Sequence, residues 1–341
     1  MAQKIGFIGL GKMGFPIASN LSKSLQASSN PPLRVWTRNS HALTEFVNAN
    51  PHSIRCASIE ELAKTSDVVI TSLANDKVGE EVYSILFSAT RSIQSRLIFV
   101  DTSTLFPTLV ARLGKEATAV PNRFFCSCPV FGPPTLAEKA ALLVAVSGEL
   151  EARKTVEKLL VPAVARKAFD LGEEVERAAS FKLTGNAVVI GVVDVLGQTM
   201  TLADRSGVGA ENLFEFIKEF FPVPTFLNYG NRLVSNDFKD NVGFPIWGGI
   251  KDSEHILALS SLHHTPIPVI ESAHSHFLTA KAVTKDEADR YDWSSMVAAH
   301  RLAAGAEPLE RPYRPLASSS SIQLQNASMD QSSGSQVDGS S

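Results

Sequence analysis

Residues 4–21 read K-I-G-F-I-G-L-G-K-M-G-F-P-I-A-S-N-L. An apolar stretch with strand character runs straight into Gly9-x-Gly11-x-x-Gly14, and the residues after it can be helical. Pro16 is compatible with that helix because it falls in the first turn. A strand, a glycine turn and a helix in immediate succession constrain the chain to a crossover unit, which needs a parallel strand to return to. Gly9 allows the tight turn, Gly11 lets the backbone approach a pyrophosphate, and Gly14 lets the helix pack on the strand. The helix start adds unpaired N–H groups and partial positive charge. The plain alternative is a glycine-rich turn with no ligand. The strand before it and the helix after it favour the phosphate reading.

Strands and helical segments alternate through the first half, as a parallel sheet covered on both faces requires. Expected strands are Lys4–Ile8, Arg34–Thr37, Val68–Ser72, Leu97–Asp101, Phe124–Cys128 and Ala141–Ser147. Helical patterns lie between them at Ala42–Asn48, Ser58–Lys64, Val78–Leu86 and Thr108–Glu116, and Ser58 with Glu61 has capping-box spacing. From Glu174 to Ser206 there is no proline, and one long helix is expected. Further helices are expected at Ala210–Glu219, Ile250–Ser261, Ile267–Ala282 and Asp292–Ala304. The fold class is therefore an α/β Rossmann dinucleotide-binding domain followed by an all-α domain entered through a long interdomain helix. The expected boundaries are 1–173, 174–310 for a substrate and dimerisation domain, and 311–341 for a Ser-rich tail.

Composition narrows the function. The 341 residues suit about two domains. A net charge of -3 gives no basic footprint for nucleic acid. No run approaches the ~18 apolar residues of a membrane span, and a first strand at Lys4 leaves no room for a leader. A cytoplasmic location is expected, and the three cysteines, Cys56, Cys126 and Cys128, suit a reducing compartment as small buried residues. Ala317–Ser341 is rich in Ser, Gln, Asn, Asp and Gly, without aromatic residues, and should be disordered. His263-His264 and His274-x-His276 carry little weight as metal sites, because neighbours one or two apart on a helix point in different directions.

The end of the second strand should select the cofactor. An NAD site usually has a carboxylate there for the ribose 2′-OH. The window Arg34-Val-Trp-Thr37-Arg38-Asn39-Ser40 has none. Arg38 can pair with a 2′-phosphate while Thr37 and Asn39 donate hydrogen bonds, which points to NADP, with NADPH preferred over NADH. The next two strands end in Thr71-Ser72-Leu73-Ala74 and Asp101-Thr102-Ser103-Thr104, at carboxyl ends where ligands of open parallel sheets bind. Ser103 and Thr104 can serve a carboxylate or carbonyl, or cap the helix after Pro107. Lys182 and Asn186, four apart, share a helix face. Gly185, Gly191 and Gly197 recur inside that helix, each costing about 1 kcal/mol against Ala, so close packing is expected around them. A lone helical lysine is more often a surface charge than a catalyst.

Taken together, these motifs resemble the β-hydroxyacid dehydrogenase family, which includes 3-hydroxyisobutyrate dehydrogenases and glyoxylate/succinic semialdehyde reductases and is related to 6-phosphogluconate dehydrogenase. The resemblance spans about residues 3–305. It rests on Gly9–Gly14 with Met13, Asp101-x-Ser103-Thr104-x-x-Pro107, Pro129-Val130-x-Gly132, Lys182-Leu183-x-x-Asn186 and Lys251-Asp252, in the family's order. It implies that Gly9, Leu10, Gly11, Lys12, Met13, Gly14, Leu73, Ala74, Thr102 and Lys251 lie at the cofactor. It implies that Ser103, Thr104, Val130, Phe131, Gly132 and Asp252 lie at the substrate, with Lys182 as general acid/base and Asn186 orienting the substrate oxygen. The implied partners are a small carbonyl or hydroxyacid substrate and further copies of the chain in a homodimer or homotetramer.

Two departures matter. Better-known members read Pro-Val-Ser-Gly-Gly at the loop implied to hold the substrate carboxylate, but here it is Pro129-Val130-Phe131-Gly132-Pro133-Pro134. Phe131 removes a hydroxyl, and Pro133 removes a backbone N–H. A larger or more apolar substrate is then expected. Gly185 stands where the 6-phosphogluconate enzymes carry a histidine, which argues against that substrate. The expected activity is hydride transfer between NADPH and a small semialdehyde or keto acid. The alternatives are reduction of an imine or of a bulkier metabolite, or a non-catalytic NADP-binding interaction module.

Overall fold

A computed structural model describes residues 3–239 and 242–310; the expected tail, 311–341, lies outside the described residues. In chain order the elements are β1 (Ile5–Ile8), α1 (Gly14–Ala27), β2 (Leu33–Trp36), α2 (Ser40–Ala49), β3 (Ser53–Arg55), α3 (Ile59–Lys64), β4 (Val68–Thr71) and α4 (Asp76–Thr90). Next come β5 (Leu97–Asp101), α5 (Pro107–Thr118), β6 (Arg123–Ser127), β7 (Val130–Phe131), α6 (Pro134–Glu138), β8 (Leu142–Gly148), α7 (Leu150–Leu160) and β9 (Ala165–Asp170). The helices α8 (Glu176–Arg205), α9 (Ala210–Phe220), α10 (Pro224–Ser235), α11 (Ile246–Leu262), α12 (Pro268–Thr284) and α13 (Val297–Ala303) complete the chain. It is a Rossmann domain followed by a helical C-terminal domain.

Contacts divide the chain into two compact units: residues 3–188 with Lys251–Ile267, and Val189–Ile250 with residues 268–310. The division falls inside α8 and α11, so the first turns of α8 and the later part of α11 group with the sheet. The sequence had suggested a boundary at 173/174.

The sheet runs β3-β2-β1-β4-β5-β6-β8-β7, with β9 on β8. From β3 to β6 every pairing is parallel; β8 joins β6 and β7 antiparallel. Alternate residues feed opposite faces, as a period of two requires. Ile5, Phe7, Val68, Ile70, Ile98 and Val100 enter one core with Ile17 and Leu21 of α1. Ile8, Val69, Leu97 and Phe99 enter the other with Val82 and Leu86 of α4. The helix after β1 and the helix after β4 therefore cover opposite faces. The crossovers diverge between these neighbouring strands, and ligands of such sheets bind at that switch point.

Three strands were not expected from sequence. β3 is three residues long, and β9 exposes Arg166 and Lys167, so neither has an apolar run. Val130 and Phe131 were expected in a loop but pair with Val144 and Leu143 of β8. The three cysteines are free and buried, and burial pushes the Cys126 thiol up to about 12.

In the second unit, Leu196 and Met200 of α8 pack with Phe214, Ile217, Leu233, Phe238 and Val297. The expected helix Asp292–Ala304 begins instead as a 3₁₀ turn over Trp293–Met296, because the buried Asp292 carboxylate accepts the Ser294 N–H and caps it there. By length and composition α8 could cross a membrane, with a mean hydropathy of 1.5, and half of that apolar window is buried inside the protein.

Candidate active site

The site starts at the turn between β1 and α1. Gly9 has φ +99°, and a Cβ there would stand 2.1 Å from the Ser72 carbonyl oxygen at the end of β4. At Gly14 a Cβ would stand 1.8 Å from the Gly9 carbonyl oxygen, so helix and turn touch through backbone alone. Gly11 differs: a Cβ there would meet nothing within 4 Å. Its glycine is not required by the protein's own packing. The open space fits the approach of a pyrophosphate.

The start of α1 supports the same fit. Asn39, Ser58 and Asn75 cap α2, α3 and α4 with side-chain oxygens, but no side chain caps α1. The Phe15 N–H donates to the Gly11 carbonyl and Pro16 has none, so it is the N–H groups before Phe15 that are left to a ligand or water. Leu10 is a core residue, Met13 packs partly on the same core, and Lys12 is exposed.

Beyond β2, Arg38 reaches solvent, its side chain 74% exposed, and among the described residues its ion-pair partner is Glu81 at 3.5 Å. An exposed pair of this kind is worth under about 1 kcal/mol, so Arg38 is free to engage another anion. The Asn39 side-chain oxygen is used by the cap of α2, where it accepts N–H bonds from His41 and Ala42. Only its amide nitrogen remains for a ligand.

The ends of β4 and β5 are tied together. Asp101, fully buried, accepts hydrogen bonds from Thr71 Oγ1 at 2.7 Å and from the Ser103 N–H at 2.8 Å. Burial raises its pKa to about 6 against the pull of these donors. Ser103 Oγ accepts the Leu73 N–H at 2.8 Å and donates to Asp101 at 3.2 Å. Thr102 Oγ1 donates to the Thr71 carbonyl. The two hydroxyls expected to meet ligands thus hold the floor of the site, and Ser103 offers at most a lone pair. The side chain of Ala74, beside Leu73, carries no donor.

Lys182 lies near the start of α8. That start is fixed by Ser147 of β8, whose Oγ accepts the Ala178 N–H and donates to the Val175 carbonyl. Lys182 is 8% exposed, and its Nζ donates to Asn186 Oδ1 at 2.9 Å. Asn186 Nδ2 donates in turn to Asp252 Oδ2 at 2.6 Å. Lys251 Nζ donates to the Thr104 carbonyl at 2.8 Å and stands 3.1 Å from Asp252 Oδ1. That ion pair lacks hydrogen-bond geometry, so Asp252 Oδ1 is a buried acceptor with no hydrogen bond. Burial, opposed by Asp252 and aided by Lys251, lowers the Lys182 pKa to about 8. An amine that titrates near neutrality can both give and take a proton.

Phe131 completes the site. Lys182 Nζ lies 4.4 Å from the centre of its ring. A Cβ on Gly185 would stand 2.5 Å from Phe131 Cε1, so Gly185 makes room for the aromatic side chain. The close packing expected at the helical glycines holds there. At Gly191 the nearest contact would be an ordinary 3.4 Å. Gly132, at φ +130°, turns the chain out of β7 beside Val130 and Phe131.

His255 was not foreseen. It sits one turn beyond Lys251 on α11, 3.6 Å from Asp76 Oδ2 and edge-on to Phe106, with Nδ1 buried and without a hydrogen bond. Burial lowers its pKa against the pull of Asp76. Its i+4 spacing from Lys251 was the available signal. Lys182, Asn186, Lys251, Asp252, His255, Phe131 and the glycine turn all belong to the first unit.

Residues 4–172 match the family described as the NAD binding domain of 6-phosphogluconate dehydrogenase. The chain is 29% identical over 297 residues to the uncharacterized oxidoreductase YfjR of Bacillus subtilis, covering 86% of this chain and 98% of that one. It is 32% identical over 216 residues to the mitochondrial 3-hydroxyisobutyrate dehydrogenase of Drosophila melanogaster, 63% of each chain. The solved 3-hydroxyisobutyrate dehydrogenase of Mycobacterium tuberculosis shares the fold, with a TM-score of 0.73 at 24% identity over 88% of this chain and all of that one. The family match and these relatives place the chain among the NAD(P)-dependent oxidoreductases. Within that class, the chain belongs to the β-hydroxyacid dehydrogenase family.

Proposed function

We propose that the protein is an NADPH-dependent reductase of small semialdehydes or keto acids, running in reverse as a 3-hydroxyacid dehydrogenase. The observation that carries this reading is the buried Lys182, held by Asn186 and Asp252 and titrating near neutrality. The turn Gly9–Gly14 would hold the pyrophosphate, and Thr37, Arg38 and the free amide of Asn39 the 2′-phosphate. Asp252 Oδ1, still lacking a donor, suits an amide N–H of the nicotinamide end. When bound, the dinucleotide supplies or accepts the hydride.

The chain's own residues handle the proton. In reduction, Lys182 donates from Nζ to the substrate oxygen; in oxidation, the neutral amine takes that proton back. Asn186 holds the Nζ through its carbonyl oxygen while Asp252 fixes the amide from behind. Val130 and Gly132 would contact the acid end, with Phe131 filling space where a small hydroxyl would suit a carboxylate. That ring against Lys182 favours a second reading, an imine or a bulkier carbonyl as substrate. For assembly we propose a homodimer or homotetramer in the cytoplasm. Its support is an apolar face on α8, where Val195 and Leu202 are 49% and 67% exposed.

The test follows reduced-nicotinamide consumption with glyoxylate, succinic semialdehyde, methylmalonate semialdehyde and one cyclic imine. Turnover of a semialdehyde with NADPH is expected, favoured over NADH by at least about tenfold in kcat/KM, and Arg38→Ala should erase that preference. Equal use of both cofactors by the unmodified chain would reject the NADPH assignment. Turnover of the imine alone would select the second reading, and binding without any turnover would select a non-catalytic module.

A further inference from the structure

Three helices of the second unit bring ligand-type side chains to one point. Asp194 lies on α8, His276 on α12 and His300 on α13. Asp194 Oδ1 is 2.8 Å from His276 Nδ1 and 2.8 Å from His300 Nε2. The three atoms lie within 4.8 Å of one another, and the imidazoles meet edge to face with centres 4.2 Å apart. Asp194 is buried, and its Oδ2 accepts Gln198 Nε2 at 2.9 Å. A Cβ on Gly197 would stand 3.1 Å from His300 Cδ2, so this helical glycine leaves the ring its place. None of these residues takes part in the Lys182 cluster.

One histidine on a buried carboxylate is an ordinary structural pair. Two imidazoles aimed at the same oxygen, while the other oxygen is held by an amide, form a converging set of two nitrogens and one oxygen. That set suits borderline divalent ions, zinc above all, and not calcium or magnesium, which take more oxygens. We propose that Asp194, His276 and His300 bind one divalent transition-metal ion, with water in the remaining position.

The fit requires the three ligand atoms, now within 4.8 Å of one another, to settle to a common spacing. With bonds of about 2.0–2.1 Å, a tetrahedral ion sets its ligands about 3.3 Å apart. The two oxygen–nitrogen separations must therefore open by about half an ångström. The histidine side chains, 21% and 10% exposed, are not locked in the core. Metal binding places lone pairs at His276 Nδ1 and His300 Nε2 and moves each ring's N–H to its other nitrogen. Gln198 then orients the carboxylate from the second oxygen. The ion would clip α13 to α8, residues 106 apart in sequence, and stabilise the folded chain by binding only to it.

The probe is Co²⁺, titrated into full-length, tag-free, chelator-stripped protein. One equivalent per chain should bind, with visible ligand-field bands and a rise in the unfolding temperature, and Zn²⁺ should displace it and bleach the bands. His276→Gln and His300→Gln each keep an amide for Asp194 and should weaken Co²⁺ binding more than about tenfold. His274→Gln should leave it unchanged. Absent bands with no thermal shift would overturn the site, as would binding that survives both glutamine variants, since exposed His263 and His264 would then be the ligands. Should a variant fail to fold, X-ray absorption of the zinc-loaded wild type decides: two imidazoles on the zinc are expected, and fewer overturn the proposal.

Discussion

The glycine turn and the lysine cluster lie in the same unit and are built on opposite plans. At the turn, backbone meets backbone: the Gly9 and Gly14 positions abut carbonyl oxygens, and the space at Gly11 is left open. At the cluster, side chains from α8, α11 and β7 meet: Lys182 with Asn186, Asn186 with Asp252, and Phe131 over the lysine. The first plan presents dipoles that need no reorganisation and suits binding of a constant group. The second tunes a proton affinity through burial and neighbouring charge and suits chemistry. Substitutions at the two places should therefore fail in different ways.

The sharpest separation comes from Lys182→Met, which keeps the length and burial of the stem and removes the amine. Turnover should fall about 10³-fold, or about 4 kcal/mol of transition-state stabilisation. Dinucleotide affinity should stay within about twofold, because the proposed phosphate site is the glycine turn and not the lysine cluster. Steady-state kinetics with a dinucleotide titration read both. Retention of more than about a tenth of turnover would remove Lys182 from the proton transfer.

The contrast also governs what could be read from sequence. Strand, glycines and helix fall within residues 4–21, so local rules suffice for the turn, and the strand ends at Leu73 and Ser103 follow from the alternation. The cluster has no local signature. Asn186 and Asp252 are 66 residues apart, and Lys251 and Thr104 are 147 apart. Only the resemblance to a known family singled out Lys182 there. Phe131 read as a lost hydroxyl, because nothing in the spacing says that Gly185 seats its ring. Ser103 read as a substrate donor, because its bond to Asp101 depends on how β5 ends. Helix α10 was not among the expected helices; Pro224 stands in its first turn, where proline is tolerated.

Within the turn itself, two glycines should separate folding from binding. Gly14→Ala drives a Cβ into the Gly9 carbonyl, which neither backbone can yield to cheaply. A loss of about 3 kcal/mol and a fall of about 10 °C in the unfolding midpoint are expected. Gly11→Ala meets nothing in the protein, so the midpoint should hold or rise slightly. Its dinucleotide affinity should nonetheless fall by at least about tenfold, about 1.4 kcal/mol, because the methyl occupies the approach of the phosphates. Calorimetric unfolding and dinucleotide titration of the two variants check this. Equal thermal losses in both would mean that Gly11 is structural and that the open space has no ligand.

The smallest expected effect tests the tuning of the lysine. With its amine near pH 8, the protonated form dominates below and the neutral form above. Reduction needs the proton, so its kcat/KM should be flat at lower pH and fall about tenfold per unit above the inflection. Oxidation needs the free amine, so its profile should rise toward the same inflection and then level. Lys251→Met removes a nearby positive charge and leaves Asp252 without its ion pair, and both changes favour the charged form of Lys182. The inflection should therefore move upward in both directions, whatever happens to the overall rate. An inflection near the ordinary lysine value of about 10.4 in the unmodified enzyme would mean that burial does not tune this amine. An unmoved inflection in Lys251→Met would leave burial as the sole cause of the shift.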